Sequence, residues 1–214
     1  MSFWNALRHC HGPTNFAVSF FGTFAGEVLS EGGHVGGLDI YTYNFGPNVH
    51  YQLSNWYAAG PALVEARRVF VLAWMRDGIT EVTFQTLEGY DYFLTSEFSG
   101  CRFVVTEYGV SHVSWSAGRR ASTWEGSQQM RDVAEVGAMT QVPCFRRRLS
   151  ISGGPGLLDA LLSASGRTNS TASYDGQNER VMIFGYKEGG VWHFKMLTYP
   201  IGGGSQAGTW TTFI

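Results

Sequence analysis

Along most of the chain, apolar residues recur at every second position or gather in short unbroken runs, with Gly, Asn and Asp between them. Alternation is the mark of a half-buried strand, and a short apolar run bounded by turn residues fits a strand buried on both faces. The pattern predicts strands at residues 17–24, 38–45, 69–74, 80–87, 101–105, 110–115, 181–186, 191–199 and 210–213. Glu188-Gly189-Gly190 separates two of them and supplies the turn of a hairpin. Helical spacing is rarer. Ser122-Thr123-Trp124-Glu125 reads as a capping box, and Met130, Val133, Ala134 and Gly137 continue the period. A second helix is expected after Gly156, where Leu157, Leu158, Leu161 and Leu162 form one stripe, and a third at 58–68, opened by Pro61.

Composition adds detail to this strand-dominated picture. The 214 residues include 28 Gly, 7 Trp, 10 Tyr and 15 Phe, which suits many turns around a large aromatic core. Residues 1–214 are read as one domain, because no linker divides them. A formal charge of −2 gives no electrostatic reason to expect a nucleic-acid or membrane partner. The N-terminal Met1-Ser2-Phe3-Trp4-Asn5 lacks the basic start and apolar run of a signal peptide, and no stretch has the length of a membrane helix. The chain is expected to be a monomer that leaves its cell, if it does, by a route without a recognisable signal.

Three cysteines, Cys10, Cys101 and Cys144, are too few for a disulfide framework or a zinc knuckle. Cys101 stands out. Ser99 and Gly100 leave space beside its sulfur, and the backbone N–H groups of Gly100 and Cys101 could face a developing oxyanion. His112 follows 11 residues later, across a turn drawn at Glu107-Tyr108-Gly109. Register decides whether the two meet: an even-length connection puts them on one face, whereas that three-residue turn puts them on opposite faces. An imidazolium beside a thiol favours the thiolate and then protonates a departing amine. Thr95, six residues before Cys101, is close enough in sequence to orient the imidazole. Read as packing alone, Cys101 fills the sheet interior.

The run Leu94-Thr95-Ser96-Glu97-Phe98-Ser99-Gly100-Cys101, with His112 on the next strand, resembles the Burkholderia lethal factor-like glutamine deamidase toxins, a family related in fold to the catalytic domain of the cytotoxic necrotizing factors. Phe98 stands where that family carries Leu, and weaker similarity extends through Glu135-Val136-Gly137, Ser173-Tyr174 with Asn178, and Leu197-Thr198-Tyr199. The resemblance implies an α/β fold, a β-sandwich of mixed sheets with a few flanking helices. It implies that Cys101 is the nucleophile, His112 the acid/base and Thr95 the orienting residue, with no cofactor. It further implies a toxin that deamidates a glutamine on a host protein in the host cytosol. The DEAD-box translation initiation helicase is the first substrate expected and Rho-family GTPases the second, so translation inhibition is the expected effect.

Other features carry less chemistry. His9-Cys10-His11 offers two ligands from an extended segment but has no third at a recognisable interval, so no metal is assigned. The stretch from Gly32 to Gly37 lacks the Lys-Ser/Thr of a phosphate loop and reads as a loop. Arg146-Arg147-Arg148 reads as a solvated edge, and His193, between Trp192 and Phe194, as structural. The rival from another class is a non-catalytic, aromatic-rich β-sandwich binding module in which Cys101 is merely buried. Transglutaminase or protease activity from the same thiol remains open.

Overall fold

Alternating and β-branched segments build fourteen strands in the computed structural model, which describes residues 2–13, 17–20, 22–44, 50–58, 62–114, 130, 133, 145–151, 171–203 and 205–214. In chain order these are α1 (Phe3–His9), β1 (Gly12–Pro13), β2 (Ala17–Phe20), α2 (Gly22–Glu27), β3 (Val35–Asn44), β4 (His50–Ser54), β5 (Ala62–Leu72) and β6 (Gly78–Thr83). After a 3₁₀ turn at Thr86–Gly89 come β7 (Tyr92–Thr95), β8 (Arg102–Thr106), β9 (Gly109–Ser114), β10 (Phe145–Ile151), β11 (Thr171–Tyr174), β12 (Glu179–Glu188), β13 (Val191–Pro200) and β14 (Thr209–Thr212). A nine-stranded mixed sheet runs β1-β14-β13-β12-β7-β5-β3-β4-β2, and a five-stranded one runs β11-β10-β8-β9-β6. The fold is the expected α/β sandwich of mixed sheets.

The central strands of the large sheet are apolar on both faces because each face has its own core. In β12, Met182, Phe184 and Tyr186 join one cluster with Phe3, Trp4 and Leu7 of α1, while Val181 and Ile183 join the other with Phe103 and Val105 of β8. In β7, Phe93 enters the layer between the sheets and Leu94 leaves it; the period of two sends Thr95 back toward that layer. Gly185 makes this packing possible, since a Cβ there would sit 2.9 Å from the rings or Cβ of Phe194 and Phe93. The β12–β13 hairpin closes through Gly189 and Gly190, both at positive φ, with Glu188 paired to Val191.

Several expectations are corrected. Residues 62–68 are strand, not helix, because β5 pairs with β3 from Val35↔Leu72 to Asn44↔Ala62; β7 pairs only with the end of β5, from Val69↔Tyr92 to Leu72↔Thr95. Cross-strand partners override the local helical pattern there. The strand at 17–24 stops at Phe20, before α2, and the one at 80–87 stops at Thr83, whose hydroxyl accepts from the Thr86 amide at 3.1 Å. His9 is the last residue of α1 rather than part of an extended segment, whereas its C-cap Cys10 is extended. Val35 to Gly37, read as loop, opens β3. Arg146 to Arg148 lie on β10, which is flanked by β8 and β11 and is no sheet edge. α1, β1, β4, β7, β10 and β11 were not anticipated. The expected helices after Ser122 and Gly156 lie outside the described residues, save for Met130 and Val133, which are helical.

Candidate active site

β8 and β9 form because Arg102-Phe103-Val104-Val105-Thr106 and Gly109-Val110-Ser111-His112-Val113-Ser114 are rich in β-formers on either side of a two-residue turn, Glu107-Tyr108. Thr106 shapes that turn: its hydroxyl accepts from the amides of Tyr108 and Gly109, both at 3.1 Å. Gly109 belongs to β9 and not to the turn, and the Val82 carbonyl lies only 2.1 Å from where a Cβ would stand on it. This corrects the three-residue turn drawn from the sequence. The pairs are Arg102↔Val113, Phe103↔His112 and Val105↔Val110.

That register settles the facing of the pair. Continued by one residue it sets Cys101 opposite Ser114, and the thiol donates to the Ser114 hydroxyl at 3.5 Å. Ser114 and His112 are two residues apart on β9, so Cys101 and His112 lie on the same face, as diagonal neighbours rather than directly opposite. Cys101, Phe103, Val105 and Val110 all belong to the core between the sheets. Cys101 is 8% exposed, whereas His112 and Thr95 are fully buried.

The segment before the cysteine closes over this face. Phe98 stacks on the His112 imidazole with ring centroids 4.1 Å apart and planes 18° from parallel. It is fixed by paired backbone bonds with Val181: the Phe98 amide donates at 2.7 Å and accepts the return bond through its carbonyl at 3.2 Å. Glu97 adds a side-chain anchor, accepting from the Tyr199 hydroxyl and pairing with the Arg180 guanidinium at 3.3 Å. Burial, and then the Glu97 charge, push the Tyr199 hydroxyl far above the usual phenol range, so it stays a donor. Gly100 adopts φ +91°, where a side chain is strained. Tyr174 holds that turn: its hydroxyl accepts from the Gly100 amide at 2.8 Å and donates to the Cys101 carbonyl at 2.8 Å.

Thr95 points toward the layer that holds Cys101 and His112, but its hydroxyl donates to the Ser96 carbonyl at 2.9 Å. The Gly100 amide, expected to face an oxyanion, donates to Tyr174. Sequence reasoning missed Ser114, the Tyr174 clamp and the Glu97–Tyr199–Arg180 anchor. Ser114 was findable from its spacing to His112 once the turn was drawn with two residues. The anchor joins positions up to 102 residues apart and has no local signal.

His193 stacks on Tyr186 at 5.2 Å, in agreement with a structural role. Among the described residues no group of three His, Cys, Asp or Glu side chains is placed to hold a metal ion.

Fold and site together define an α/β sandwich with a buried cysteine–histidine face between its sheets. No family model matches the chain, and no curated protein matches it. Among solved structures it bears a weak likeness to the C-terminal domain of CNFy from Yersinia pseudotuberculosis, with a TM-score of 0.32 and 6% identity over 78% of this chain and 84% of that one.

Proposed function

We propose that this chain is a cysteine hydrolase that deamidates glutamine side chains on another protein, with Cys101 as nucleophile, His112 as acid/base and Thr95 as orienting residue. The observation that carries the reading is the β8–β9 register, which sets thiol and imidazole on one face. The thiolate attacks the carboxamide carbon while the Cys101 amide, joined by that of Gly100 once Tyr174 releases it, donates to the oxyanion. His112 protonates the leaving ammonia. Water, giving a proton to His112, then hydrolyses the thioester, leaving glutamate and free thiol. Substrate entry requires the Phe98 ring to leave His112, so the segment 96–100 moves in the working enzyme.

Mass spectrometry of a eukaryotic lysate treated with the wild type and with Cys101→Ser tests this. Cys101-dependent conversion of Gln to Glu is expected, with the DEAD-box translation initiation helicase examined first and Rho-family GTPases second, as proteins of the host in which a secreted toxin would act. Conversion that persists in Cys101→Ser, or is absent from both samples, overturns the reading.

The full burial of His112 favours a second reading, a binding module in which both residues are core. Under it, iodoacetamide at neutral pH labels Cys101 no faster than Cys10; preferential labelling of Cys101 supports the enzyme.

A further inference from the structure

At the other end of β8 the layer between the sheets opens into a cleft of about 550 Å³, within the range of ligand-binding pockets. Its floor is the buried pair Val105 and Phe194, and Phe84 and Trp192 stand half-buried on its walls. The Trp192 indole is braced against Phe194, with centroids 6.0 Å apart and planes at 17°. Glu88 and Glu107 are exposed at the rim, and neither forms an ion pair among the described residues. The one lysine of the lining, Lys187, donates to the Glu88 carbonyl at 3.3 Å. Among the described lining residues two carboxylates stand against one ammonium, an excess of one negative charge.

An apolar floor, an aromatic wall and an excess of carboxylate fit one kind of group: a cation on an apolar stem, whose methylenes cover Val105 while its charge faces Trp192 and the rim. A neutral sugar would use the indole but leave the charge unanswered, and an anion would be repelled. We propose that this cleft receives an arginine or lysine side chain of a partner protein. Val105 lies four residues from Cys101, about 13 Å along the strand, so a bound protein could span both places. The inference does not require Cys101 to be catalytic.

The test titrates ¹⁵N-labelled protein with N-acetyl-arginine methylamide, following the Trp192 indole N–H signal assigned through Trp192→Phe. N-acetyl-citrulline methylamide, the neutral isostere, and methyl glucoside serve as comparison probes. Saturable shifts of Trp192 with the arginine probe are expected, weakened about tenfold or more with citrulline and by Glu107→Gln, and unchanged in Cys101→Ser. No saturation by arginine, equal binding of citrulline, or preferential binding of the glucoside overturns the proposal. Because binding is read without turnover, its failure is separate from failure of the deamidase reading.

Discussion

Cys10 and Cys101 are buried to nearly the same degree, at 7% and 8% exposure, yet their surroundings differ in kind. Cys10 caps the end of α1 in the outer core, and its thiol donates to the Leu7 carbonyl at 3.1 Å, a bond within its own helix turn. Burial pushes this thiol up to about 12, against a smaller lowering by Lys195. Cys101 follows a left-handed glycine, bonds to a serine on the facing strand, and shares a sheet face with a histidine. Exposure alone therefore does not separate a packing cysteine from a candidate nucleophile. What separates them is which polar groups the backbone brings to the same face.

The largest effect that sharpens this contrast comes from Phe98→Ala. Phe98 is fully buried between His112 and Phe103, so truncation costs about 3–5 kcal/mol of stability, measured by urea denaturation. Local opening above His112 raises iodoacetamide labelling of Cys101 relative to Cys10 under native conditions. An unchanged labelling ratio would show that Phe98 does not gate the Cys101 face.

The second effect belongs to Cys10. Its folded-state pKa of about 12 lies above the unfolded value of roughly 8.5, so below pH 8.5 both states keep the proton and this group adds no pH dependence. As pH rises further, the unfolded chain releases a proton that the folded chain retains, and stability falls by about 1.4 kcal/mol per unit, roughly 2 kcal/mol by pH 10. Urea titrations between pH 8 and pH 10 should show a shallower decline in Cys10→Ala than in the wild type. Equal slopes would place Cys10 in a far more polar setting than the outer core. Keeping to this range limits interference from Tyr51, Tyr186 and Tyr199, whose hydroxyls are also raised by burial.

The same two regions show what the sequence makes legible. The strand-rich sandwich and the β12–β13 hairpin follow from alternation and from Gly189-Gly190, because both are local signals. Cys101 and His112 were visible as residue types, but their facing hung on whether Gly109 belongs to the turn or to the strand. A contact with Val82, 27 positions away, accompanies that choice, and no local pattern carries it. Residues 62–68 failed in the opposite direction: their helical spacing is real, yet pairing with β3 overrules it. The Tyr174 clamp and the Glu97 anchor are long-range polar contacts, which periodicity does not encode.

The smallest effect probes the bond that distinguishes the Cys101 environment most directly. In Ser114→Ala the thiol loses the hydroxyl that accepts from it at 3.5 Å; because a thiol is a weak donor, the cost to stability stays below about 1 kcal/mol. The lost bond held the thiol in its present rotamer. Its removal leaves the sulfur to turn toward the diagonal neighbour His112, and alkylation of Cys101 at neutral pH rises about two- to threefold while that of Cys10 is unchanged. A slower reaction would mean that Ser114 supports the thiolate rather than restraining the thiol, and would make it part of the reactive face instead of a packing neighbour.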